Sequence, residues 1–96
     1  MDDRRKAYEE KLDAQLKEWR AQSALLKAKA DKAKADVKIE YYKTIDTLQR
    51  KQDEAGTKLR ELKASGDEAW NDLKAGAEKI WSDVKTAYHD ATSRFK

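Results

Sequence analysis

Apolar residues recur along this chain at helical spacing. From Asp2 to Val37, Leu12, Trp19, Leu26 and Ala33 return every seven residues, and Leu16, Ser23, Ala30 and Val37 fill the second seam position. That pattern predicts one continuous helix with a narrow apolar seam. Between Val37 and Leu48 the spacing becomes four, four and three, through Val37, Tyr41, Ile45 and Leu48. An insertion of this kind straightens a supercoil without ending the helix, while Ile39 and Tyr42 widen the apolar arc. The seam continues through Gln52, Ala55, Leu59 and Leu62, and Gly56 inside it costs about 1 kcal/mol against Ala.

From Leu59 onward the chain repeats every eleven residues: LRELKASGDEA, WNDLKAGAEKI, WSDVKTAYHDA, TSRFK. Leu62, Leu73, Val84 and Phe95 share one column, and Leu59, Trp70 and Trp81 another. Eleven residues is close to three helical turns, so each column keeps to one face. Gly66 interrupts the repeat. Lys58, Arg60 and Lys63 lie where a helix C-terminus favours cations, and Asp67, Glu68 and Asp72 where the next N-terminus favours anions. Gly66 suits the left-handed position just past a helix end. The reading is a turn at about 65–67 around Gly66 and Asp67; the alternative is an unbroken helix, since the repeat runs through Gly66 in phase. A second helix over about 68–94 then carries Trp70, Leu73, Ala77, Ile80, Trp81, Val84, Tyr88, Ala91 and Phe95 on one face.

The fold class is therefore all-α and single-domain, a helical hairpin with a long helix over about 2–64 that forms an oligomeric coiled coil or bundle. Length gives a reason for assembly. The long helix would span ~93 Å and the short one only ~42 Å. A short helix folded back at Gly66 covers the half ending at Ala64 and leaves Leu12, Leu16, Trp19, Leu25 and Leu26 bare. A single-faced helix of that kind is marginal in water. A second copy, most simply antiparallel, would cover it. The expected self-association residues are Leu12, Leu16, Trp19, Leu26, Val37, Tyr41, Leu48, Leu59, Leu62, Trp70, Leu73, Ile80, Trp81, Val84, Tyr88 and Phe95.

A further row, Ala7, Ala14, Ala21, Ala28 and Ala35, lies away from the Leu seam. Alanine is the best helix former and fills exposed positions; the sharper reading is close approach by another helix, toward which the off-seam Leu25 leans.

Composition agrees with long helices. The 96 residues include no Pro, three Gly and 43% charged residues, with only 39% hydrophobic, many of them Ala. Lys+Arg number 22 against 19 Asp+Glu, and the net charge of +3 is spread through interleaved signs, as on a solvated helix surface. There is no Cys, so no disulfide or thiol chemistry is available. The start, MDDRRKAYEEK, lacks the apolar core of a secretory signal, and no run approaches membrane-spanning length, which makes a soluble cytoplasmic protein the default.

Candidate chemistry is sparse. His89 is the only histidine, and Lys85, Thr86, Thr92 and Ser93 at helical spacing are poor metal ligands. No nucleophile, acid–base or phosphate-loop arrangement is recognisable, so neither a cofactor nor an enzymatic activity is expected. Lys27, Lys29, Lys32, Lys34 and Lys38 could meet phosphates, but Asp31 and Asp36 offset them and no aromatic residue is interleaved for stacking, so nucleic acid is an unlikely partner. Amphipathic eleven-residue repeats with Trp and Lys can also lie on a lipid surface, which keeps a membrane surface open as an alternative partner. Acidic residues on the polar face weigh against strong attachment to anionic lipid.

The pieces KLDAQLKEW, LKAKADKAKADVKIEYYK and ELKASGDEAWNDLKAG resemble a family of small bacterial coiled-coil proteins associated with stress response, in proteobacteria and cyanobacteria. The resemblance covers most of the chain, and its most specific part is the glycine, acid and Trp run from Glu61 to Gly76. It implies a soluble helical protein linked to stress, with no catalytic residues to carry over. The expected function is that of a non-enzymatic, self-associating scaffold or protective protein.

Overall fold

The computed structural model of the chain describes residues 3–94, and Phe95 lies outside them. The all-α expectation holds: three helices, α1 (Asp3–Asp31), α2 (Ala35–Ala64) and α3 (Asp67–Arg94), make up nearly all of the described chain. They pack as a bundle of 52 × 18 × 17 Å. α2 runs antiparallel to both neighbours, and α1 and α3 run parallel, as the pairings Tyr8–Trp70 and Trp19–Tyr88 require.

Where the heptad pattern reads one helix over about 2–64, the structure has two. The break falls at Lys32, Ala33 and Lys34, between α1 and α2. Lys32 and Ala33 donate their N–H groups to the Lys29 and Ala30 carbonyls, a tightened last turn for α1. Lys34 is extended, with φ −64° and ψ 152°, and its carbonyl receives the N–H groups of Val37 and Lys38 to start α2.

The physical reason is burial. Folding back at this point places Leu12, Leu16, Trp19 and Leu26 against α2 and α3, where each is nearly inaccessible. At ~1.5–3 kcal/mol per fully buried apolar side chain, these four contribute roughly 6–12 kcal/mol. Interrupting a helix forfeits a few backbone hydrogen bonds of about 1 kcal/mol net each. Burial wins, and the length mismatch disappears: the three helices contain 29, 30 and 28 residues.

The second connection is made differently. Gly66 does not take a left-handed conformation, since no glycine among the described residues has positive φ. Instead Ser65 is extended, its N–H and hydroxyl both donate to the Leu62 carbonyl, and the Gly66 carbonyl accepts the N–H of Trp70 to open α3. The alanine row takes its blander reading, for Ala7, Ala14, Ala21, Ala28 and Ala35 are all exposed.

Candidate functional site

Most side chains assigned to self-association are buried inside one chain. Leu12, Leu16, Trp19, Leu26, Leu48, Leu59, Leu62, Trp70, Trp81, Val84 and Tyr88 form a single core, with Tyr41, Leu73 and Ile80 packed at its edge. Trp19 retains only 7% of its accessible surface. These positions are filled by the chain's own helices, so in the closed bundle they offer nothing to a second copy. Val37 departs from its expected seam position. It sits in the first turn of α2, at the end of the bundle, and is 38% exposed.

At mid-bundle α1 and α3 meet through rings. The Trp19 indole stacks on Tyr88 at 5.8 Å and 11°, and lies 5.8 Å from Trp81 at a tilt of 45°. Two polar seam residues complete this layer. The Ser23 hydroxyl donates to Gln52 Oε1 at 3.2 Å and also meets the Tyr88 hydroxyl. The Tyr88 oxygen lies 2.6 Å from Gln52 Oε1 and 2.8 Å from the Trp19 carbonyl, both acceptors, so its one proton serves one at a time. Burial pushes the Tyr88 phenol pKa up, and the Ser23 hydrogen bond partly offsets that. The network joins all three helices, and its members mostly satisfy one another. It is a polar pin through the core. The buried Trp81 Nε1 has no hydrogen-bond partner.

Arg5 closes the α2–α3 corner. Its Nη2 donates to the carbonyls of Leu62 at 3.2 Å, Lys63 at 3.3 Å and Ser65 at 2.7 Å. Nη1 reaches Asp67 at 3.0 Å, Nε reaches Glu9 at 3.2 Å, and the guanidinium lies over the Trp70 ring at 5.6 Å. A residue from α1 thus caps the end of α2, satisfying carbonyls that a helix terminus leaves open. Glu9 also accepts the Trp70 indole N–H at 3.0 Å, and Tyr8 meets Trp70 edge-on at 5.7 Å. Sequence reasoning missed this staple, because nothing in a local pattern shows that Arg5 will face a carbonyl cluster about sixty residues away.

The α1–α2 corner is held more lightly. Lys34 makes no side-chain cap for α2. The side-chain tie across the corner is the exposed hydrogen bond from the Tyr42 hydroxyl to Asp31, which raises the Tyr42 pKa. Exposed large apolar side chains gather near this end: Val37, Ile39 at 61% and Tyr42 on the first turns of α2, with Leu25 at 66% on α1. An open groove beside them is lined by Val37, Glu40, Tyr41, Thr44 and Arg94. Along the sequence on either side of the α1–α2 connection, the exposed Lys27, Lys29, Lys32 and Lys34 and the half-buried Lys38 are interleaved with exposed Asp31, Asp36 and Glu40.

His89 is exposed on α3. Among the described residues no group of three or more His, Cys, Asp or Glu is placed to hold a metal ion. No described helix is long and apolar enough to cross a membrane. No family model matches the chain, and comparison with curated proteins and with solved structures yields no match.

Proposed function

We propose that this chain is a non-enzymatic helical protein that works by associating with further copies of itself, as a scaffold or protective protein under stress. The observation that carries self-association is the apolar surface left outside the bundle at the α1–α2 end, where Val37, Ile39 and Tyr42 remain accessible although the core is otherwise closed. The charges around it favour a second copy as occupant. Lysines alternate along the sequence with Asp31, Asp36 and Glu40, so a second copy brings both signs and two such ends do not simply repel. The stress role rests on the sequence resemblance alone.

The lipid-surface reading is weaker. Trp70, Trp81, Val84 and Tyr88, the apolar face of the eleven-residue repeats, point into the core. A bilayer could take that face only by opening the bundle. A nucleic-acid reading meets the same interleaved acids that favour a second copy. Sedimentation equilibrium over a range of concentrations tests the proposal: a reversible dimer, weakened when Ile39→Lys places a charge on the exposed surface, supports it, and a monomer throughout refutes it.

A further inference from the structure

The two corners of the bundle differ in how they are made. The α2–α3 corner is tied by Arg5 to three carbonyls and by Ser65 to Leu62. The α1–α2 corner has no glycine or proline and no cap from the Lys34 side chain; Asp36 accepts the N–H of Val37 and the Tyr42 hydroxyl ties to Asp31, both exposed contacts, and the sequence Lys32-Ala33-Lys34 favours helix. Lys34 is extended, and no described residue of the connection has a positive φ, so no left-handed residue stands in the way of a helix running on. The heptad pattern passes through Ala33 and Val37 in phase, as a continuous helix requires.

From this contrast we infer that the Lys32–Lys34 connection is a hinge, and that two copies of the chain exchange α1 through it. In the opened form residues 3–64 make one helix, and α1 of each copy packs on α2 and α3 of the other. Every core contact of the closed bundle is kept, including the stacking of Trp19 on Tyr88 and the clamp of Arg5 on the α2–α3 corner; those contacts simply pass between chains. The two long helices cross antiparallel at their hinges. There Val37 and Ile39, exposed in the closed bundle, would lie beside the two-fold axis and against the partner. The gain that favours opening is the added helical turn and this covered surface; the entropy of joining two chains opposes it, so concentration sets the balance. This inference rests on the self-association reading and specifies its route.

Ala35→Pro separates the two forms. Ala35 is the first residue of α2, a position that accepts Pro, and Lys34 before it already has the extended backbone that a following Pro demands. The closed bundle should therefore fold as before. In a continuous helix the same Pro falls in the interior, and a dimer carrying two of them should bind at least about a hundredfold more weakly. The full chain and the variant are compared by sedimentation equilibrium and small-angle scattering, with far-UV circular dichroism to verify folding. Expected is a wild-type dimer with a long dimension near ~93 Å, and a folded, monomeric Ala35→Pro chain. Lys34→Gly, which eases the turn and weakens the continuous helix, provides a milder second variant should Ala35→Pro not fold; it should loosen the dimer several-fold. A dimer equally tight in a folded Ala35→Pro chain, or in Lys34→Gly if the proline variant does not fold, overturns the exchange while leaving self-association standing. A wild-type chain that stays monomeric at every concentration overturns the self-association reading itself, and the exchange with it.

Discussion

Trp19 and Tyr88 touch twice: their rings stack at 5.8 Å, and the Tyr88 hydroxyl lies 2.8 Å from the Trp19 carbonyl. One residue of α3 thereby fixes both the rotation and the axial position of α1. Hydrophobic seams of Leu and Ala can slide, because a shift by one heptad restores much the same contacts. A hydroxyl that must find Ser23, Gln52 and the Trp19 carbonyl cannot be satisfied in another register.

Tyr88→Phe keeps the ring and removes the pin. It should lower stability by about 1–3 kcal/mol by leaving buried acceptors unmet. Urea denaturation of Tyr88→Phe, Ser23→Ala and the double variant measures the coupling, which should be about 0.5–3 kcal/mol for groups in direct contact. Strict additivity would argue that the hydroxyls do not act together.

Arg5→Met should cost about 1–3 kcal/mol, because three carbonyls at the end of α2 lose their charged donor. Amide exchange should quicken first around the α2–α3 corner. Arg5→Lys should recover only part of the loss, since a single ammonium at the carbonyls leaves Asp67 and Glu9 without the donors that Nη1 and Nε supply. Unchanged protection in Arg5→Met would show that the corner stands without the clamp.

Two glycines are opportunities for stabilisation. Gly66 has no positive φ, nothing lies within 4 Å of an added Cβ, and its carbonyl opens α3. Gly66→Ser should raise stability by about 0.5–1 kcal/mol by restricting the unfolded chain and offering a cap. Gly56 lies inside α2, and an added Cβ there meets only arginine side-chain ends, the nearer at 3.8 Å. Gly56→Ala should gain a similar amount. Thermal melts of both variants check this, and a lower midpoint would mean that the local backbone is tighter than it looks.

Alkaline pH should weaken the fold. Burial raises the Tyr88 phenol pKa, and burial with the nearby Glu78 raises that of Tyr8. Unfolded tyrosines release their protons near pH ~10. Above that point the unfolded state holds fewer protons than the folded one, so stability is complete below pH ~10 and falls as pH climbs toward the folded values. Urea midpoints should drop between about pH 9 and about pH 11, and the drop should be smaller in Tyr88→Phe. A midpoint that rises over this range would contradict the buried environment of Tyr88.

Helicity and the inward face of α3 are legible in the sequence, because Trp70, Ala77, Trp81, Val84 and Tyr88 recur at a period that only a helix satisfies. The break at Lys32–Lys34 is not, since local propensity favours helix there and the competing force comes from residues far along the chain. One signal was available. Lys27, Lys29 and Lys32 precede the break and Asp36 follows it, the cation-then-anion order that also marks the turn at Gly66, although Asp31 at the end of α1 and Lys38 beyond the break blur it. Ser23, Gln52 and Tyr88 each fall in an apolar stripe of the sequence, but only the three-helix geometry brings their polar atoms together.

One chain suffices to shelter Trp19. Tryptophan emission and far-UV circular dichroism along a dilution series, with sedimentation reporting mass at each step, test it most directly. Chains diluted to monomer should keep their helicity and a blue-shifted, quencher-protected emission. Loss of helix and a red shift on reaching monomer mass would contradict it, because Trp19 would then depend on a second copy for its cover.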